Sequence, residues 1–273
     1  MPELPEVETI RRSLEPRLVG RRLAGCRLPG RHVLQDCRPD KLRKLRGLRV
    51  LGLGRRGKYL IIALEDKTSL VFHLKMTGQF FFGPTGRPLD RHTHFVLRLA
   101  GGREDLRFRD VRKFGRLRLV EGEGSEGAAL FPGLGPEPLE VGLEDFTRLI
   151  RRRAGRLKSL LLNQSFLAGI GNIYADEILF AARLHPRASA AGLSPAKVRR
   201  LWLSVRRILG RAVARGGSTI RDYRDAEGRV GLFQLEHKVY GRATQPCYRC
   251  RRPIRREVLG GRSTHFCPRC QAL

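Results

Sequence analysis

The sequence is short of acid. Its 273 residues carry 26 Asp and Glu against 55 Lys and Arg, a formal net charge of +29 at pH 7. That balance excludes an acidic surface and makes a polyanion, nucleic acid above all, the first partner to consider. Lysine is scarce even within the basic excess, at nine of the 55, so a general arginine enrichment or a hot habitat is a second reading of part of the charge. The basic residues run from Arg11 to Arg269 without a concentrated tail, the pattern of a folded surface and not of a polybasic arm. Long apolar runs are missing too. None approaches the ~18 residues of a membrane helix, and acids stand at the N-terminus where a secretory signal would carry cations. A cytoplasmic, nucleoid-associated protein without a membrane partner is expected. Cysteine is sparse, with six residues, and Cys26 and Cys37 stand far from the rest and read as ordinary thiols.

What acid there is collects at the start. "MPELPEVE" holds Glu3, Glu6 and Glu8 among two prolines. Leu4 is followed by Val7, Ile10, Leu14 and Leu18 at helical spacing, with Pro5 suited to a first turn and Pro16 to an end or kink. Glu6 and Glu8 would then complement the helix dipole, which leaves Glu3 without an account. From about 48 to 120 the texture changes to short runs, "YLIIAL", "SLVFHL", "QFFFG", "HFVLRL", "LRFRDV" and "RLRLV". Alternation such as Leu106-Arg107-Phe108-Arg109 places one face on a core and the other in water. An antiparallel β-sandwich follows. The Gly-, Pro- and acid-rich stretch 121–142 reads as a linker. Beyond it the period is helical, most clearly from Ser194 as cap and Pro195 through Val198, Leu201, Val205, Ile208, Leu209 and Val213 to Gly216-Gly217. The fold class is therefore α+β.

Five stretches carry chemistry. Cys247, Cys250, Cys267 and Cys270 have two residues inside each pair and sixteen between, the double-knuckle spacing of one tetrahedral zinc in a reducing compartment. With four sulfur ligands such a zinc is structural, and it would hold a hairpin turning at Gly260-Gly261 that is too small to fold alone. Arg262 at its tip is either a phosphate contact or one more surface charge. In "LAGIGNIYADEILF", glycines 169 and 171 lead to Asn172 and a helix, whose N-terminus offers free N–H groups to a phosphate; with the preceding "RLKSLLLNQ" it makes a helix, two turns and a second helix. "GRRGKYL" sets Lys58 at the mouth of a strand. "FHLKMTG" and "RDVRKFG" bring Met76 and Phe114 to strand ends, where such residues are usually core and Arg112 would be a surface charge.

"MPELPEVE", "RRGKYL", "HLKM", "DVRKFG", "GIGNIYADE" and the C-x2-C-x16-C-x2-C end, in that order over the full length, resemble the bacterial formamidopyrimidine-DNA glycosylases. The resemblance implies an N-terminal β-sandwich with flanking helices, then a helix–two-turn–helix domain with a β-hairpin zinc finger, and DNA in the cleft between them. The expected division is 1–130 for the catalytic sandwich, 131–142 for the joint, 143–237 for the helical domain and 238–273 for the zinc finger. The implied activity is removal of 8-oxoguanine and ring-opened purines from damaged double-stranded DNA, then cutting of the strand by β,δ-elimination, by a monomer with no nucleotide cofactor.

In that family the initiator methionine is removed and the exposed proline amine, here Pro2, is the nucleophile. A secondary amine attacking the sugar yields an iminium that keeps its charge without protonation; Glu3 would shuttle protons to the sugar oxygen. An α-amine has a reference pKa about 2.6 units below that of lysine, so presenting it unprotonated costs about 3.5 kcal/mol less than presenting Lys58 or Lys158. Lys58 is then a cation on the phosphate, with Glu6 fixing the geometry. Extrusion of the base leaves a hole, which the resemblance assigns to Met76, Arg112 and Phe114, with Arg112 facing the orphaned cytosine. His73, Asn172, Lys58 and Arg262 match phosphate grips, and Lys158 matches a lysine that touches the damaged base or its loop. The 216–232 loop would cover the flipped purine through Thr219 and Tyr223. Val111 and Lys113 depart from the Pro and Arg of many relatives; Lys113 keeps the charge, but the missing proline removes one source of stiffness from that loop.

Two other readings compete. The endonuclease VIII branch of the same superfamily uses the same proline on oxidised pyrimidines, and "MPELPEVE" with the Met/Arg/Phe set argues against it. A non-catalytic zinc-ribbon DNA-binding protein would have no use for Pro2, Glu3 and Lys58 together.

Overall fold

The first helix, α1 (Leu4–Leu18), forms where apolar residues recur on one side, and Leu4, Val7, Ile10, Leu14 and Leu18 are all fully buried. Pro16 does not end it. The helix runs on to Leu18, whose burial in the core secures the last turn. The computed structural model describes residues 2–122, 130–220 and 223–273. It divides into two compact units, Met1–Pro132 with Gly216–Gly231, and Gly133–Arg215 with Leu232–Leu273. Part of the linker stretch, 123–129, and residues 221–222 of the 216–232 loop lie outside the described residues.

Among the described residues of the first unit, nine strands follow α1: β1 (Leu23–Arg27), β2 (Leu34–Gln35), β3 (Val50–Arg56), β4 (Tyr59–Leu64), β5 (Thr68–His73), β6 (Gly78–Pro84), β7 (Thr93–Leu99), β8 (Glu104–Asp110) and β9 (Arg116–Glu121). They form two sheets, ordered β1-β7-β8-β6 and β2-β9-β5-β4-β3. Each of these pairings is antiparallel except the short parallel edge of β2 on β9. Phe72, Phe80, Phe95 and Phe108 interlock in the core, with ring centroids 4.9–5.6 Å apart; each ring so buried contributes about 1.5–3 kcal/mol. The alternation in β8 misleads at one position. Arg107 is 4% exposed, not in water, because its guanidinium donates to the carbonyls of Pro84 (2.7 Å) and Arg87 (3.2 Å) and so closes the loop after β6.

The second unit contains α2 (Leu143–Arg151), α3 (Leu157–Leu162), α4 (Asn172–Ala182), α5 (Pro195–Ala214) and the hairpin β10 (Arg255–Leu259) and β11 (Arg262–Phe266). Gln164 builds the two turns between α3 and α4. Its amide donates to the carbonyls of Leu162 (3.0 Å) and Ile170 (2.8 Å) and accepts from Gly169 N (2.9 Å). Ser194 caps α5 as the sequence predicts, accepting from Lys197 N at 3.4 Å. Glu177 is 1% exposed and accepts from the N–H groups of Lys238, Val239 and Tyr240 at 2.8–3.0 Å, so a helix side chain fixes the approach to the zinc module. Among the described residues no helix is long and apolar enough to cross a membrane.

Candidate functional site

The acids of the N-terminus have separate duties. Pro2 is buried at the head of α1, and Glu3 and Glu6 are 2% and 1% exposed. Glu3 is the N-cap, and its N–H donates to Glu6 Oε2 at 2.7 Å. The other Glu6 oxygen accepts from Ser218 N at 2.7 Å, which ties the segment 216–231 to the start of the chain. Gly217 makes that approach possible: its φ is +79°, and a Cβ there would lie 2.6 Å from Glu6 Oε1. Tyr223 donates its hydroxyl to the carbonyl of Glu6 (3.2 Å), Thr219 Oγ1 donates to Tyr223 O (3.0 Å) and accepts from Gly231 N (2.9 Å). Burial, then the charge of Glu6, pushes the Tyr223 phenol well above its ordinary value. Thr219 and Tyr223 are thus both engaged in holding the loop's own shape. Glu8 faces elsewhere, toward Arg11 (3.1 Å), Arg12 (2.8 Å) and Arg55 (3.3 Å). Burial raises its carboxyl, but these guanidinium bonds outweigh it and hold the group below the usual range.

Strand register gathers the next residues at one end of the sandwich. Lys58, 7% exposed, precedes β4 in a turn made by Gly57 at φ +54°. Tyr59 pairs with His73, and His73 with Arg116. The His73 ring accepts from Lys75 N at its Nδ1 (3.0 Å), which leaves Nε2 to carry the proton. Burial first, then Lys75 and Lys58, brings its pKa down to about 3, so the ring is a neutral donor near pH 7. A neutral N–H can still grip a phosphate.

Met76 and Phe114 are not core. Each is 44% exposed, in the turns β5–β6 and β8–β9. Arg112 lies between them, with Nη1 3.0 Å from Met76 Sδ and its guanidinium 4.8 Å above the Phe114 ring. Val111 beside them is 46% exposed. The turn is held by Asp110, which none of the motifs above singles out. Its carboxylate accepts from Thr77 Oγ1, Arg112 N and Gly115 N. An aspartate opening a turn is the available signal, since its side chain bonds backbone N–H groups two residues on.

In the second unit Asn172 is the first residue of α4, after Gly171 as N-cap, and its amide donates to Ser263 O at 2.9 Å. That bond brings the helix N-terminus to β11, where Arg262 is exposed just after Gly260 and Gly261, both at positive φ. Lys158 is placed differently from expectation. It is 1% exposed, and its Nζ donates to Asp176 Oδ1 (2.6 Å) and Asn172 O (3.1 Å). Asp176 in turn accepts from His265 N at 2.9 Å. Held in this ion pair, Lys158 joins α3, α4 and the hairpin, a setting that speaks against the expected contact with a damaged base.

The sulfurs of Cys247, Cys250, Cys267 and Cys270 all lie within 4.8 Å of one another, with Cys250–Cys267 at 3.4 Å and Cys247–Cys270 at 3.9 Å. A tetrahedral zinc with bonds of about 2.3 Å sets sulfur separations of about 3.8 Å, so the donor set fits one structural zinc. Cys26 and Cys37 are not part of it.

Comparison with known proteins agrees with this geometry. Three family models match in succession: the formamidopyrimidine-DNA glycosylase N-terminal domain over residues 1–117, the H2TH domain of the same enzymes over 134–224, and a zinc finger found in FPG and IleRS over 245–273. The formamidopyrimidine-DNA glycosylase of Solibacter usitatus is 45% identical over 272 residues, covering 99% of each chain. That of Herpetosiphon aurantiacus is 46% identical over the whole of both. Among solved structures, the MutM (FPG) protein of Thermus thermophilus superposes with a TM-score of 0.87 at 44% identity, covering 99% of this chain and 98% of that one. Lactococcus lactis Fpg in complex with abasic site containing DNA gives 0.91 at 35% identity, covering 99% and 100%. With the models spanning most of the sequence and full-length relatives above 40% identity, this chain belongs to the formamidopyrimidine-DNA glycosylase family.

Proposed function

We propose that this chain acts in base excision repair, removing 8-oxoguanine and formamidopyrimidines from double-stranded damaged DNA and then cleaving the strand by β,δ-elimination. The observation that carries the reading is the trio Met76, Arg112 and Phe114 held together in solvent. Two half-exposed apolar side chains flanking a guanidinium serve no core, and they suit a gap left by an extruded nucleotide, where apolar wedges kink the duplex. The Pro2 nitrogen, freed by loss of Met1, attacks C1′ of that nucleotide; the C–N bond forms as the base leaves with the glycosidic pair. Glu3 takes the proton that the Pro2 nitrogen sheds on bonding and passes it to the ring oxygen; the C1′–O4′ bond breaks as the nitrogen lone pair closes the iminium, which acidifies the C2′ and then the C4′ hydrogen, so that their loss expels the 3′ and then the 5′ phosphate. Glu6 holds the start of α1 and the 216–232 loop in one geometry. Lys58, His73, Asn172 and Arg262 grip phosphates without reading sequence, and Thr219 and Tyr223 keep the shape of the loop that covers the purine. The zinc makes the hairpin rigid enough to present Arg262. The domain limits proposed are 1–130, 131–142, 143–237 and 238–273, with the segment 216–231 inside the third range packed in the first unit, for a monomer that works in the cytoplasm at the nucleoid.

Borohydride trapping on lesion-bearing duplex tests the chemistry. The mature protein is expected to give a covalent adduct and the Pro2→Gly variant none; a wild type that yields no adduct leaves a non-catalytic DNA binder. Excision from matched duplexes tests the substrate, and a preference for thymine glycol over 8-oxoguanine would move the chain to the endonuclease VIII branch. Mass spectrometry of the mature protein should show Met1 absent.

A further inference from the structure

Asp110 is 1% exposed at the end of β8 and collects donors from two turns. Its Oδ1 accepts from Thr77 Oγ1 at 2.5 Å and from Arg112 N at 3.2 Å, and its Oδ2 accepts from Gly115 N at 2.6 Å. Thr77 follows Met76, while Arg112 and Gly115 bracket Phe114, so one carboxylate fastens both exposed turns. The backbone on either side is held as well: Asp110 N donates to His92 O (2.9 Å), and the His94 ring meets Asp110 O at 2.8 Å through Nε2.

The turns need such a tie. Lys75 and Lys113 sit at φ +52° and +60°, the left-handed region that non-glycine residues avoid, and such conformations persist only where the surroundings over-determine them. Gly115 passes so near the core that a Cβ there would lie 2.6 Å from the Phe108 ring. Charge-assisted bonds from three donors, out of reach of water, are the strongest restraint available to a loop that must keep apolar side chains in solvent.

We propose that Asp110 is a positioning residue that makes Met76, Arg112 and Phe114 one preorganised insertion group, so that all three enter the duplex together. The proposal rests on reading that trio as the group that fills the gap. Prying a base step apart is unfavourable, and an insertion group already ordered adds no further ordering entropy to it. A loosened clamp therefore weakens base extrusion from a duplex and leaves bond formation at Pro2 untouched.

The experiment uses the full-length, zinc-loaded protein and two substrates: duplex containing 8-oxoguanine, with 2-aminopurine beside the lesion to report unstacking, and a single-stranded abasic oligonucleotide, which has no stack to enter. Asp110→Asn places an amide donor against Gly115 N–H or Arg112 N–H, and Thr77→Val removes one donor while keeping the carboxylate. Asp110→Asn is expected to slow the 2-aminopurine rise and duplex excision by about 10- to 100-fold, the equivalent of one charge-assisted bond. Thr77→Val should slow both less, and borohydride trapping of the single strand should stay within about twofold of wild type for each variant. Equal loss on both substrates, or no loss on the duplex, overturns the proposal. Phe114→Ala and Met76→Ala separate the two layers: if these leave the fluorescence rise unchanged, the insertion reading itself fails, whereas a slowed rise in them with a normal rise in Asp110→Asn removes only the role of Asp110.

Discussion

At the scale of single residues, two cations of the second unit stand in opposite settings. Lys158 is sealed against Asp176, whereas Arg262 is exposed on the hairpin. Removing one partner of a buried pair leaves an uncompensated charge, so Lys158→Met should lower unfolding stability by about 3–5 kcal/mol in denaturant titration. The salt dependence of DNA affinity should be unchanged in that variant, while Arg262→Ala should reduce the log–log slope by about 1. His73 adds a pH dependence. Its folded pKa of about 3 lies below the ordinary value of 6.5, so the folded state disfavours the protonated ring. The stability His73 contributes is complete above about pH 6.5 and is lost as pH falls toward 3. The stability difference between wild type and His73→Gln, measured by urea unfolding from pH 7 to 4, should shift against the wild type as pH falls.

At the scale of elements, the segment 216–231 shows how little room some turns leave. A Cβ on Gly231 would lie 2.3 Å from Gly217 O, a backbone atom that cannot swing away. Gly231→Ala should therefore displace the loop from Glu6 and cost about 1–3 kcal/mol of stability, the usual range for overpacking. Limited proteolysis should find faster cleavage within the loop, and lesion excision should fall, while circular dichroism of the remainder is unchanged. By sequence this segment falls within the helical domain expected over 143–237, since it follows α5 directly. Its packing is with the first unit, because Ser218 N and the Tyr223 hydroxyl reach α1. Contacts between residues more than 200 positions apart leave no local trace in composition or period.

For the whole molecule, the net charge of +29 leads to one measurable quantity. Binding to lesion duplex should weaken steeply with salt, with a log–log slope of about −4 to −5 for four to six neutralised phosphates. Zinc contributes through folding. A hairpin of two five-residue strands cannot bury enough surface to stand alone, and structural zinc sites supply folding energy directly. Chelation should abolish DNA binding and lower the melting temperature of the second unit, with readdition of zinc restoring both; binding that survives complete chelation would count against this role.

By itself the sequence determined the class of the fold, the zinc ligands, the long helices and the family, because these depend on spacing along the chain: a 3.6-residue period, alternation in strands, cysteines two apart. The helix that follows its N-terminal octet is legible for the same reason, its apolar residues recurring every three or four positions, whereas Glu3 as its cap with Glu6 facing back is not. Only the tertiary structure decided which polar side chains are spent inside. Arg107 closes a loop, Lys158 is locked to Asp176, Asp110 ties two turns, and Met76 and Phe114 stand out in solvent where composition alone would have buried them. The physical reason is that desolvation and pairing belong to three-dimensional neighbours, and a charged residue reads the same in sequence whether it faces water or a carboxylate.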